Sequence, residues 1–117
     1  MHNFKELKVW QKSVDYAIKI YQMTQGFPQE EKFGLTSQMR RAGVSIPSNI
    51  AEGCTKTSYK SFANSLEISL GESFELETQL EISKRIGLVT EDMNEEIQSD
   101  LSEIQRMIIG LKSTLTK

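Results

Sequence analysis

Histidine and cysteine each occur once in the 117-residue chain, as His2 and Cys54, and proline only twice, as Pro28 and Pro47. One histidine, two residues from the start, leaves no imidazole for a Ser-His-Asp type triad or a proton shuttle. A di-iron bundle needs a Glu-x-x-His pair on each of two helices, and the chain has none. No glycine-rich phosphate loop follows a strand, because no stretch reads as a strand. A single cysteine forms no internal disulfide, which fits a reducing compartment, and Cys54 reads as a small apolar residue. No apolar run approaches the roughly eighteen residues of a membrane span, and MHNFKELKVW lacks the apolar core of a secretion signal. These absences predict a soluble cytoplasmic protein, not an enzyme, with no cofactor, no metal and no membrane contact. The carboxylates at Glu72, Glu75 and Glu77 and at Glu91, Asp92, Glu95 and Glu96 read as solvated helix faces.

The length predicts one domain over residues 1–117, able to bury about two-thirds of its unfolded surface. The net charge of −2 hides an asymmetry. Residues 1–60 carry nine Lys or Arg against five acids, whereas residues 61–117 carry five against eleven. Such a split points first to complementary surfaces, between halves of one bundle or between neighbouring subunits.

Residues 34–53, GLTSQMRRAGVSIPSNIAEG, organise the rest. Leu35, Met39, Ala42, Ile46 and Ile50 recur at steps of three and four and so share one side of a helix. Pro47 falls inside this stripe without disturbing its phase, which predicts one continuous helix kinked by the proline. The ring clashes with the carbonyl of Gly43 and deprives it of its N–H partner, and Ser45 and Ser48 are placed to bond the freed groups. The alternative is that Pro47 opens a new helix in its first position. On the other flank Gln38, Arg41, Ser45, Ser48, Asn49 and Glu52 fall within about a third of the circumference. Short polar residues are poor helix formers, so their concentration predicts either a buried hydrogen-bond network or a partner site, against a plain solvated face.

From Gly34 and Leu35 through Gln38, Arg40, Arg41, Ala42, Ser45, Ile46, Pro47, Asn49, Ile50, Ala51, Glu52 and Gly53, this run resembles the signature of the four-helix-bundle proteins encoded in intervening sequences of 23S ribosomal RNA. Upstream, FKELKVWQKS and the segment from Tyr21 to Pro28 are similar to that family's first helix and turn. Downstream, ISLGESFELETQL is similar to its third helix. The resemblance implies an all-α, left-handed, antiparallel up-down-up-down bundle that assembles into a homo-oligomer, a pentamer. The family name records where the genes lie and implies no activity.

Helix 1 is predicted from about Leu7 to Thr24, ended by Gly26 and Pro28. It carries two apolar stripes about half a turn apart: Leu7, Trp10, Val14, Ala17, Ile18 and Tyr21 on one side, Val9, Tyr16, Ile20 and Met23 on the other. Glu30 and Glu31 suit the start of helix 2, which Gly53 ends. Helix 3 runs from a Thr57 or Ser58 cap to about Ile86, closed by Gly87. Its main stripe is Phe62, Leu66, Leu70, Phe74, Leu76 and Leu80, while Ile68, Ile82 and Ile86 lie opposite with Gly71 near them. Helix 4 starts at a Thr90 cap with Glu91 and Asp92 in its first turn. Its single stripe is Met93, Ile97, Leu101, Ile104, Met107, Ile108, Leu111 and Leu115. Two-faced helices 1 and 3 predict an oligomer interface through Val9, Tyr16, Ile20, Met23, Ile68, Gly71, Ile82 and Ile86.

Two functional readings follow. In one, the oligomer associates with RNA or DNA, with Arg40, Arg41, Lys56 and Lys60 supplying phosphate contacts multiplied by the number of subunits. In the other it is an oligomeric scaffold or adaptor that binds another protein without nucleic acid, and Arg41, Asn49 and Glu52 pair within or between subunits. The sequence reading leans to nucleic acid.

Overall fold

The four apolar stripes become four helices in a computed structural model that describes residues 3–115; His2 lies outside that range. They are α1 (Lys8–Thr24), α2 (Leu35–Gly53), α3 (Tyr59–Arg85) and α4 (Glu91–Ser113), with single 3-10 turns at Phe4–Glu6 and Gln29–Glu31. At about 1.5 Å per residue the 27 residues of α3 span about 40 Å. That length sets the long dimension of the molecule, 44 × 24 × 20 Å.

Each boundary has a local cause. The Ser58 hydroxyl accepts from the Ser61 N–H and the Thr90 hydroxyl from the Met93 N–H, so both predicted caps are in place. Glu31 reaches the start of α2, where its carboxylate accepts from the Leu35 N–H at 3.3 Å. Gly87, at φ +84°, closes α3. Its N–H donates to the Lys84 carbonyl and the Leu88 N–H to the Ser83 carbonyl, the paired bonds of a left-handed helix stop. Gly53 has a different role from the one expected. It is the last helical residue of α2, and a Cβ there would lie 2.8 Å from Phe62 Cδ1. Close packing requires this glycine, not a backbone conformation.

Helix α2 is continuous through Pro47. Met39, Ala42, Ile46 and Ile50 are fully buried, as their spacing predicts, and Leu35 packs against the same core. The side-chain donors around the proline turn are Asn49 and Ser69: Asn49 Nδ2 donates to the Ser45 carbonyl at 2.8 Å, and Ser69 Oγ to the Ile46 carbonyl at 2.9 Å. Ser45 and Ser48 do not serve the freed Gly43 carbonyl as expected.

The helices run antiparallel around a square. Cross-helix pairs fix the sense: Gly43 on Ala17 and Ile20 with Arg40 on Thr24, Ile46 on Ser69 with Gly53 on Phe62, and Gln105 on Ser73 with Gln98 on Glu77. Each helix touches its two neighbours, and the diagonal pairs do not meet.

On α3 the buried seam reads Phe62, Leu66, Ser69, Ser73, Leu76, Leu80 and Ser83, at alternating steps of four and three. The expected stripe placed Phe74 in the core, whereas it is half exposed at 50% and lies off this seam. Serine fills three seam positions where neighbouring helices come close: Ser69 and Ser83 meet Ile46 and Met39 of α2, and Ser73 accepts from Gln105 of α4. Each hydroxyl finds an acceptor: Ser69 on the Ile46 carbonyl, Ser73 on that of Leu70 and Ser83 on that of Gln79. On α4, Ile97, Leu101, Ile104, Ile108 and Leu115 are buried and Met107 and Leu111 pack against them, while Met93 is exposed.

Candidate interaction surfaces

Both faces of α1 are apolar, and the chain's own core takes most of the second stripe together with Ala17 of the first, while Leu7 and Trp10 pack at its edge. Val9, Tyr16 and Ile20 are buried in the chain's own core and are spent there, while Met23 packs against that core and stays partly exposed. The decision is made by contacts across the bundle. Tyr16 donates to the Ile97 carbonyl of α4 at 3.0 Å, and Ile20 packs against Gly43 of α2. Burial, with Asp100 and Glu77 nearby, pushes the Tyr16 phenol far above its ordinary pKa, so it stays a neutral donor.

The face left over looks outward between α1 and α2. Trp10, Val14, Ile18 and Tyr21 of α1 and Val44, Pro47 and Ala51 of α2 line an apolar groove of about 430 Å³. Phe4, folded edge-on against Trp10 with ring centroids 5.2 Å apart, closes one end. Ile18, Tyr21 and Val44 are 51%, 43% and 43% exposed. Sequence reasoning missed Val44; its signal was a valine in the run between the core stripe and the polar flank.

A second apolar surface lies on α3. Ile68, Ile82 and Ile86 are 55%, 46% and 57% exposed on the side away from the bundle axis, as their spacing predicts. Gly71 lies on this ridge, and a Cβ there would meet nothing within 4 Å.

The four cations expected to share a phosphate site are not brought together. Arg40 turns toward α1, where Nε donates to Thr24 Oγ1 at 2.8 Å and an Nη to the Tyr21 carbonyl at 3.2 Å, with the guanidinium 4.5 Å from the Tyr21 ring centre. Arg41, about 100° further round the helix, turns toward α3 and pairs with Glu75 at 2.6 Å and Glu72 at 3.4 Å. Lys56 pairs with Glu52 at 3.5 Å, beyond the far end of α2, and Lys60 is exposed on the first turn of α3. Two arginines adjacent in sequence thus serve two different helix junctions.

The polar flank of α2 is no buried network. Gln38, Ser48 and Glu52 are exposed, Ser45 and Asn49 half-buried. Lys12–Glu103 and Lys19–Asp100 ion pairs tie α1 to α4. The Asp100 hydrogen bond holds the Lys19 ammonium above its ordinary pKa. Cys54 is buried and unpaired, and burial pushes its thiol up, away from the reactive thiolate. Among the described residues no group of three or more His, Cys, Asp or Glu is placed to hold a metal ion, and no helix is long and apolar enough to cross a membrane.

These features define an all-α four-helix bundle whose distinctive surfaces are apolar and outward-facing. The chain belongs to the 23S rRNA-intervening sequence protein family, whose family model matches residues 5–110. It is similar to a crystallised protein of unknown function from the S23 ribosomal protein family of Bacteroides thetaiotaomicron. The two share 32% sequence identity over 89% of this chain and 97% of that one, with a TM-score of 0.80. No curated protein matches it.

Proposed function

We propose that this chain is a non-enzymatic building block that assembles with copies of itself, as a pentamer in the cytoplasm, into a scaffold that binds another protein. The observation that carries this reading is the outward apolar surface on two sides of the bundle, at Ile18, Tyr21 and Val44 and at Ile68, Ile82 and Ile86. Fully burying a side chain of this size contributes about 1.5–3 kcal/mol, and soluble monomers seldom leave such surfaces in water.

One observation supports nucleic-acid association as a second reading. In an antiparallel bundle the starts of α1 and α3 share one end with the finishes of α2 and α4, so Lys5, Lys8, Lys56, Lys60 and Lys112 gather toward that end. Self-assembly would multiply them. Arg40 and Arg41 weigh against it, since both are engaged within the chain.

Light scattering in low and high salt, on protein purified with and without nuclease and with the ratio of absorbance at 260 and 280 nm recorded, tests both readings. A salt-resistant oligomer free of nucleic acid is the expected result. Nuclease-sensitive material on the oligomer would move the assignment to nucleic acid, and a monomer would sink the assembly reading.

A further inference from the structure

At the end of the bundle where α1 finishes and α2 starts, the connecting segment borders a cavity of about 290 Å³. Its walls carry two cations, Lys32 and Arg40, and no acid. The pocket between α1 and α4 is the contrast, since there Lys12 and Lys19 are met by Glu103 and Asp100. Among the described residues neither Lys32 nor Arg40 pairs with a carboxylate. The Lys32 ammonium lies 5.5 Å from the centre of the Phe33 ring, and Arg40 is held through Nε and one Nη by Thr24 Oγ1 and the Tyr21 carbonyl, which leaves Nη1 uncommitted.

A third wall residue, Thr36, is nine-tenths buried, and its hydroxyl is shielded from solvent with no hydrogen-bond partner in the chain. Buried polar groups are nearly always paired, so this one waits on a partner the chain does not supply. Thr36 stands in the first turn of α2, which has no acidic residue and takes no side-chain cap from Gly34. That turn is the positive pole of a 19-residue helix. Glu31 is spent on the Leu35 N–H and does not line the cavity. The closing carbonyls of α1, which would repel an anion, are taken: that of Tyr21 by Arg40 and the Gln25 N–H, that of Thr24 by the Phe27 N–H.

We infer that this cavity binds the phosphate group of a small phosphate monoester. Arg40 Nη1, the Lys32 ammonium and the Thr36 hydroxyl are its donors, and the exposed amides of Gln25 and Gln29 on the same walls add two more. So many donors suit the three terminal oxygens of a phosphate monoester better than the two of a carboxylate. Phe27 and Pro28, both half-buried, offer an apolar wall to the organic part. The volume stands at the lower end of the range of about 300–1,000 Å³ for small-molecule sites, which fits a small ligand.

The test is isothermal titration calorimetry of the full chain with phenyl phosphate, inorganic phosphate and benzoate. Phenyl phosphate is expected to bind at least about fivefold tighter than inorganic phosphate, because its ring covers Phe27 and Pro28, and benzoate to bind weakest. Lys32→Gln, at an exposed position, and Thr36→Val, which puts a methyl in place of the unpartnered hydroxyl, are each expected to weaken phenyl phosphate binding about tenfold. Circular dichroism melts without ligand should show Thr36→Val no less stable than wild type, and Lys32→Gln decides the point if it is. Lys60→Gln, an exposed cation at the opposite end of the bundle, should leave the affinity unchanged. The site is overturned if millimolar phenyl phosphate does not bind, if inorganic phosphate or benzoate binds as tightly, if folded Thr36→Val keeps the wild-type affinity, or if Lys60→Gln weakens binding as much as Lys32→Gln.

Discussion

Phe62 occupies the space that a side chain at Gly53 would need: a Cβ there would lie 2.8 Å from its Cδ1 and 3.0 Å from Ser65 Cβ. Phe62 is fully buried and has no room to retreat. Gly53→Ala is therefore expected to lower unfolding stability by about 1–3 kcal/mol, the usual cost of overpacking a dense core. Gly43→Ala is the matched control in the same helix, since its Cβ would stand at an ordinary 3.8 Å from Ala17 and Ile20. Helix propensity then works unopposed and favours alanine by up to about 1 kcal/mol. Urea unfolding of the two variants should move the midpoint in opposite directions.

Gly71 is exposed on the outer side of α3, where a Cβ would meet nothing within 4 Å. Gly71→Ala is therefore expected to raise unfolding stability by about 0.5–1 kcal/mol, read by urea titration. A dilution series of the same variant reads assembly: weaker association than wild type would mean that a second copy approaches Gly71, and unchanged association that none does.

The parts of the fold legible in the sequence were those written in one helix at a time. The stripe through Leu35, Met39, Ala42, Ile46 and Ile50 keeps its phase across Pro47, and the helix does the same. The caps at Ser58 and Thr90 and the stop at Gly87 depend on neighbours within a few residues. The choice between the two stripes of α1 was not legible, because both are apolar. It rests on partners such as Ile97, 81 positions away from Tyr16. On α3 the step pattern was present, but counting apolar residues alone passes over Ser69, Ser73 and Ser83, which are small and meet α2 at Ser69 and Ser83 and α4 at Ser73. The parting of Arg40 and Arg41 was not legible for a related reason: adjacency in sequence put them together, and helical geometry points them at different neighbours.

Tyr16 makes stability fall on the alkaline side. Its folded pKa is raised above the ordinary value of 10.0, so the contribution is complete below pH 10 and is lost as the pH rises and the unfolded phenol ionises. The slope from this group approaches about 1.4 kcal/mol per pH unit. The Lys19 ammonium, also raised, tilts the profile the same way, but it remains when Tyr16 is replaced. Tyr16→Phe should cost about 0.5–1.5 kcal/mol near neutrality for the lost bond to the Ile97 carbonyl, and the gap to wild type should narrow above pH 10. Parallel profiles from pH 8 to 11 would show that the phenol is not held neutral.

Arg40 and Arg41 should separate in stability measurements although they are neighbours. Arg41 pairs with Glu75 and Glu72 at the surface, with about half of its side chain exposed, and such pairs are worth at most about 1 kcal/mol. Arg40 does more. It donates to the Tyr21 carbonyl and to the nearly fully buried Thr24 hydroxyl while lying over the Tyr21 ring, so it holds the last turn of α1 against α2. Arg40→Ala is expected to cost about 1–2 kcal/mol, from two hydrogen bonds and a stacked guanidinium. Arg40→Lys should recover little of it, because a single ammonium cannot reproduce the two-point contact of Nε and Nη. Urea titration of Arg40→Ala, Arg40→Lys and Arg41→Ala decides the point: if all three unfold at the wild-type midpoint, Arg40 is not fastening α1 to α2, and its guanidinium is free to meet a phosphate.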